Sequence, residues 1–89
     1  MAGYHKAEIT SGEIGEISKI QEELDELKDA VDQGVKILQL VEMSDLVGAL
    51  QEYLAKHHPG TSMKDLFEMA KLTKKAFTDG TRQTSSKPA

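Results

Sequence analysis

The segment from Ile20 to Val47, IQEELDELKDAVDQGVKILQLVEMSDLV, decides the fold of this chain. In its first half the apolar residues recur at spacings of three and four, in a series that begins upstream: Ile14, Ile17, Ile20, Leu24, Leu27, Val31. That rhythm predicts one apolar stripe on an amphipathic helix from Glu13 to about Asp32. Thr10-Ser11-Gly12-Glu13 reads as its capping box, with Thr10 as N-cap and Glu13 reaching back. Gly34 follows the stripe, where a left-handed residue ends a helix. A second helix is predicted from about Val35 to Lys56. Its apolar positions, from Val35, Ile37 and Leu38 through Leu50, Tyr53 and Leu54, go nearly all the way round, as in a centrally buried helix. His57-His58-Pro59-Gly60 stops it, and both histidines are placed to cap its last carbonyls. Thr61 or Ser62 caps a third helix from about Met63 to Thr78, with Met63, Leu66, Phe67, Ala70 and Phe77 on one side, and Asp79-Gly80 closes it. Residues 1–9 show no firm periodicity, so His5 receives no role. Residues 81–89 are polar and expected to be disordered. The expectation is an all-α chain: an antiparallel helical bundle of three main helices, one domain over residues 1–80 with a polar tail.

Composition narrows the function. The chain has 89 residues, two prolines, no tryptophan and no cysteine. Disulfides, thiolate metal sites and a cysteine nucleophile are thereby excluded. Neither a signal peptide nor a membrane-spanning run is readable, so the expected location is the cytoplasm. The net charge of −4 is uneven: Glu13 to Asp32 holds eight acids against two lysines. An acidic first half argues against binding a nucleic-acid polymer, which needs a basic stripe with stacking aromatics. Roughly sixty ordered residues make a thin core that buries only about 60% of the unfolded surface. The core is therefore expected to be completed by a second copy, as a homodimer or a dimer of dimers.

The informative residues interrupt the most apolar helix. Glu42 and Asp45 stand within Leu38-Gln39-Leu40-Val41-Glu42-Met43-Ser44-Asp45-Leu46-Val47 and project from one side of it. Burying unpaired carboxylates costs several kcal/mol each, and like charges this close repel unless a cation sits between them. Helix one carries a matching pair, Glu23 and Glu26, flanking Leu24 and Leu27 at the edge of the stripe. In an antiparallel hairpin about Gly34, Glu26 and Glu42 each lie eight residues from the turn, and Glu23 and Asp45 each eleven. Four carboxylates then converge between helix axes about 8–10 Å apart. The competing reading is a solvated acidic face on helix one. Oxygen-only ligands suit a hard cation, Mg²⁺ or Mn²⁺. Glu22 is either a further ligand or solvent-facing.

Glu22-Glu23-Leu24-Asp25-Glu26, followed by Glu42-Met43-Ser44-Asp45-Leu46, resembles the E-E-x-x-E … E-x-x-D pattern of the MazG-type all-α nucleoside triphosphate pyrophosphohydrolases. The resemblance covers about Ile14 to Leu54. It implies hydrolysis of a (d)NTP to the monophosphate and pyrophosphate, with two or three Mg²⁺ ions held by Glu23, Glu26, Glu42 and Asp45, a four-helix core and obligate oligomers. Mn²⁺ is expected to substitute for Mg²⁺. The chain departs from the pattern by being short, so a fourth helix must come from a partner chain or from residues 1–9.

On chemical grounds a triphosphate cannot approach clustered carboxylates without cations, and a carboxylate not fully used by metal can orient water and accept its proton. Glu23 and Glu26 are the candidates for that role. Lys19, Lys74, Lys75 and Arg82 are the candidates for phosphate contacts. Against this stand a local salt bridge from Lys19 to Glu23 and a solvated cationic face on helix three. Tyr53 and Phe67 are expected in the core. No glycine-rich phosphate loop and no nucleophilic triad is readable. The functional alternative is a non-catalytic helical module whose apolar second helix forms a dimerisation or interaction face.

Overall fold

The computed structural model describes residues 5–79, with side chains described through residue 75. Within them lie three helices and no strand: α1 (Ile17–Gln33), α2 (Lys36–His57) and α3 (Met63–Asp79). None is long and apolar enough to cross a membrane. α1 and α2 pack against each other as an antiparallel hairpin. The turn between them rests on Gly34, whose φ of 72° is left-handed backbone. Gly34 N–H donates to the Val31 carbonyl at 3.0 Å and Val35 N–H to the Ala30 carbonyl at 3.3 Å. These bonds satisfy carbonyls that a helix C-terminus otherwise leaves open.

α1 begins later than its apolar rhythm suggests, and the Thr10–Glu13 capping box does not start it. Gly15 adopts a left-handed φ of 86°, which breaks any helix entering from Glu13. The polar groups near the helix start hold the preceding segment instead. Gly12 N–H donates to Glu22 Oε1 at 2.8 Å, and Glu13 N–H donates to Ser18 Oγ at 3.0 Å. Gly12 lies so close to the helix that a Cβ there would clash with the Ser18 carbonyl oxygen. At the open end of the hairpin Glu16 pairs with Lys56 and, at 3.2 Å, with His57. The His57 ring is thus engaged by Glu16 rather than by the last carbonyls of α2.

α3 has the capping box that α1 lacks. Asp65 N–H donates to Ser62 Oγ at 3.1 Å, and Ser62 N–H donates to Asp65 Oδ2 at 2.9 Å. Ser62, not Thr61, is therefore the capping side chain. Among the described residues α3 does not join the hairpin as a third packed layer. Phe67, expected in the core, is exposed, as are Met69 and Leu72.

The buried positions of the hairpin are unusual in kind. Apolar Ala30, Leu38, Ala49 and Leu54 are buried, and so are Glu23, Glu26, Asp29 and Glu42. The stripe residues Ile17, Leu24 and Val31 are exposed. Ile20 and Leu27, at the near edge of the stripe, are half-buried, so α1 turns its acids inward and most of its apolar stripe outward. On α2, Ile37, Leu40, Met43, Val47 and Leu50 are exposed, on the side opposite buried Leu38, Glu42 and Ala49.

Candidate metal centre

The antiparallel register places the predicted carboxylates together. One ligand oxygen from each of Glu23, Glu26, Glu42 and Asp45 lies within 4.8 Å of the others. The equal spacing of the two pairs from Gly34 produces this convergence. Asp45 is the exposed member and opens the cluster to solvent, whereas Glu42 is wholly buried at 0% exposure. A cleft of about 400 Å³ adjoins this open side, lined among others by Ile14, Lys19, Glu23, Asp45, Gly48 and Glu52.

Each of the two deepest acids has one oxygen engaged and one left over. Glu23 Oε2 lies 3.2 Å from Lys19 Nζ, and Glu42 Oε2 lies 2.8 Å from His5 Nε2. Glu23 Oε1 and Glu42 Oε1 are buried without a hydrogen-bond partner. Buried polar oxygens are ordinarily satisfied, because leaving one bare costs about 1–3 kcal/mol and more when it is charged. Burial pushes the Glu23 carboxyl above its ordinary range and the nearby Glu26 charge adds to this, against the pull of Lys19. Burial also raises Glu26, reinforced by its contact with Glu42. Four carboxylates at this spacing, two with bare buried oxygens, form a donor set that a hard dication satisfies.

Two residues that sequence reasoning left out belong to the site. The segment before α1 runs back along the hairpin and inserts His5 between the helices. Its Nδ1 lies 2.8 Å from Asp29 Oδ2, and its Nε2 lies 3.7 Å from Glu26 Oε2. Asp29 also accepts from the backbone N–H of Lys6 and Ala7 and from the Gln33 amide. Burial alone would lower the His5 imidazole, but its bonds to Asp29 and Glu42 and the charges of Glu42 and Glu26 outweigh this and raise it. For Asp29 burial is likewise outweighed, by His5, Gln33 and the two backbone donors, and its carboxyl is held below the usual range. Asp29 continues the three-residue spacing of Glu23 and Glu26, which is a readable signal. His5 had none, because no helical rhythm places it.

The remaining candidates separate clearly. Glu22 accepts from Gly12 N–H and from Lys19 Nζ at 3.0 Å through the same oxygen, so it ties the N-terminal segment to α1. Lys19 makes the local salt bridges with Glu22 and Glu23 and also borders the cleft. The cleft is lined from α1, α2 and the residues before α1, so Lys74 and Lys75 are not brought to it. Arg82 lies outside the described residues. No protein-family model, curated protein or solved structure matches the chain. The likeness to the MazG-type pattern therefore rests on the motif residues alone.

Proposed function

We propose that this chain is a Mg²⁺-dependent nucleoside triphosphate pyrophosphohydrolase that converts a (d)NTP to its monophosphate and pyrophosphate. The observation that carries the reading is the carboxylate cluster with its bare buried oxygens; the motif resemblance supplies the reaction class. Glu23, Glu26, Glu42 and Asp45 hold the cations, with Mn²⁺ able to replace Mg²⁺. Held there, Mg²⁺ would supply polarisation of the phosphoryl oxygens and charge compensation for the leaving pyrophosphate. The protein's own part is to hold four ionised oxygens in fixed relation and to exclude water from three of the acids. Glu23 and Glu26, whose proton affinity is raised, are suited to orienting the attacking water and accepting its proton. The cleft beside Asp45 offers the substrate a wall of small residues, Gly48 and Ala49, with Lys19 at its edge. The exposed apolar faces of α1 and α2 support assembly as a homodimer or a dimer of dimers.

Anion-exchange analysis of the products tests the reaction. With Mg²⁺ present, one monophosphate and one pyrophosphate are expected per nucleotide, with no diphosphate accumulating. Orthophosphate plus diphosphate would refute the cleavage site. Failure to turn over any common NTP or dNTP with Mg²⁺ or Mn²⁺ would leave the non-catalytic interaction module in its place.

A further inference from the structure

His5 is bonded as metal-binding histidines are, although it lies on a segment outside the hairpin. Its Nδ1 is fixed against Asp29 at 2.8 Å, and Asp29 is itself held by two backbone N–H groups and the Gln33 amide. A carboxylate on one ring nitrogen sets the tautomer and aims the other nitrogen's lone pair outward. Here that other nitrogen, Nε2, faces Glu42 Oε2 at 2.8 Å and Glu26 Oε2 at 3.7 Å. With both ring nitrogens 2.8 Å from carboxylates, the metal-free imidazole carries a proton on each and donates to Asp29 and to Glu42. A proton on Nε2 serves one oxygen only, since 3.7 Å is beyond a hydrogen bond and Glu42 Oε1 is buried without a partner. An ion replacing that proton reaches the ring nitrogen and one oxygen of each carboxylate. The separations also fit: bonds of about 2.1 Å in an octahedron put neighbouring ligand atoms about 3 Å apart.

We infer that His5, Glu26 and Glu42 form a second divalent-cation site, separate from the all-oxygen site and sharing two carboxylates with it. One ligand atom from each of the three lies within 4.8 Å of the others. The imidazole makes this site selective for a first-row transition dication over Mg²⁺, which prefers oxygen. Asp29 is the positioning residue. The inference rests on the metal-dependent reading above and adds a nitrogen ligand to it.

Electron paramagnetic resonance of the full chain titrated with Mn²⁺ tests it. The parent protein is expected to bind two Mn²⁺ and to show electron spin-echo modulation from a directly bound nitrogen. His5→Gln should remove that modulation and weaken one of the two ions at least tenfold, while Asp45→Asn weakens the other and keeps the modulation. Asp29→Asn should weaken the nitrogen-bound ion by about 10- to 100-fold. Because the modulation is read on the parent chain, its absence there overturns the inference whether or not a variant folds. Modulation that survives in His5→Gln overturns it as well. Mn²⁺ binding that Asp45→Asn weakens, with no nitrogen modulation, overturns the second site alone. No Mn²⁺ binding at all also overturns the proposed function.

Discussion

Between α1 and α2 the chain buries carboxylates, whereas along α3 and the outer side of α2 it exposes large apolar side chains. Glu42 is fully buried, while Ile37 on the same helix and Leu72 on α3 are each 69% exposed. The two regions are unsatisfied in different ways. The hairpin interior is short of positive charge: among the described residues, Glu23, Glu26, Asp29, Glu42 and Asp45 face only Lys19 and His5. The outer faces lack apolar cover, and contiguous patches of that kind mark interaction surfaces. Metal and protein concentration should therefore stabilise this molecule independently, each acting on one region.

The largest effect is expected at the hairpin interior. Millimolar Mg²⁺ or Mn²⁺ should raise the melting temperature of the parent protein, because a ligand that binds only the folded state stabilises it. Glu42→Gln and Asp45→Asn should abolish the rise, and each should lower turnover by about 10²- to 10⁴-fold. Asp45→Asn, which leaves the His5–Glu42 pair in place, removes one of several repelling charges and should leave the metal-free form as stable as the parent or more so. Variants that respond to Mg²⁺ as the parent does would show that the acids are not a metal site.

A comparable loss, confined to assembly, is expected from the outer face. Leu40→Glu places a charge among Ile37, Met43 and Val47, which share one side of α2. Light scattering at micromolar concentration should report a dimer or tetramer for the parent and a 9.8 kDa monomer for the variant. A monomeric parent would mean that the exposed face has some other partner.

A smaller effect comes from pH, and its sign follows from the hairpin. Glu23 and Glu26 are held above 4.5, chiefly by burial, so keeping them ionised opposes folding and the penalty is relieved as pH falls. Burial lowers His5, but its carboxylate neighbours raise it above 6.5; its stabilisation is full below that value and lost as pH rises through the folded value. Both trends favour mild acid, so the metal-free protein should melt higher at about pH 5.5 than at about pH 8. Glu22 and Asp29 are held low, against burial, by their hydrogen bonds, so their stabilisation is lost only as pH falls further. Saturating Mg²⁺ should flatten or invert the trend, because metal binding needs ionised carboxylates. Calorimetry with and without chelator decides it, and a metal-free protein that is less stable at the acidic end would contradict the burial of these acids.

The hairpin was largely readable in advance because its determinants are local. Gly34 and His58-Pro59-Gly60 punctuate the chain by turn chemistry, and the two acid pairs meet because they stand equally far from Gly34. Which face of α1 turns inward was not readable. Periodicity identifies the stripe of Ile14, Ile17, Ile20, Leu24, Leu27 and Val31 but does not say which part of it α2 covers and which part, at Ile17, Leu24 and Val31, stays exposed. The start of α1 differs from the expected one because Gly12 and Gly15 act through backbone geometry, a close approach and a left-handed φ, that apolar rhythm does not carry. His5 was missed because its bonds span 24 and 37 residues and come from a segment with no period.

The smallest effect is expected at the start of α3, and where it appears matters more than its size. Ser62→Ala removes the hydroxyl that accepts Asp65 N–H, while the backbone N–H of residue 62 can still donate to the Asp65 carboxylate, a loss of about 1 kcal/mol by the usual worth of such caps. In a helix packed into a core that loss would lower the global melting temperature. α3 is packed against neither α1 nor α2 as they are against each other, so its opening is separable from theirs. In the metal-free monomer, for which Leu40→Glu provides the background, Ser62→Ala should speed amide hydrogen exchange in α3 several-fold. Exchange at the α1–α2 contact and the melting temperature should stay unchanged. If the cap loss instead lowers protection across the hairpin, α3 is part of one cooperative unit with it, and the contrast between the two regions does not extend to their stability.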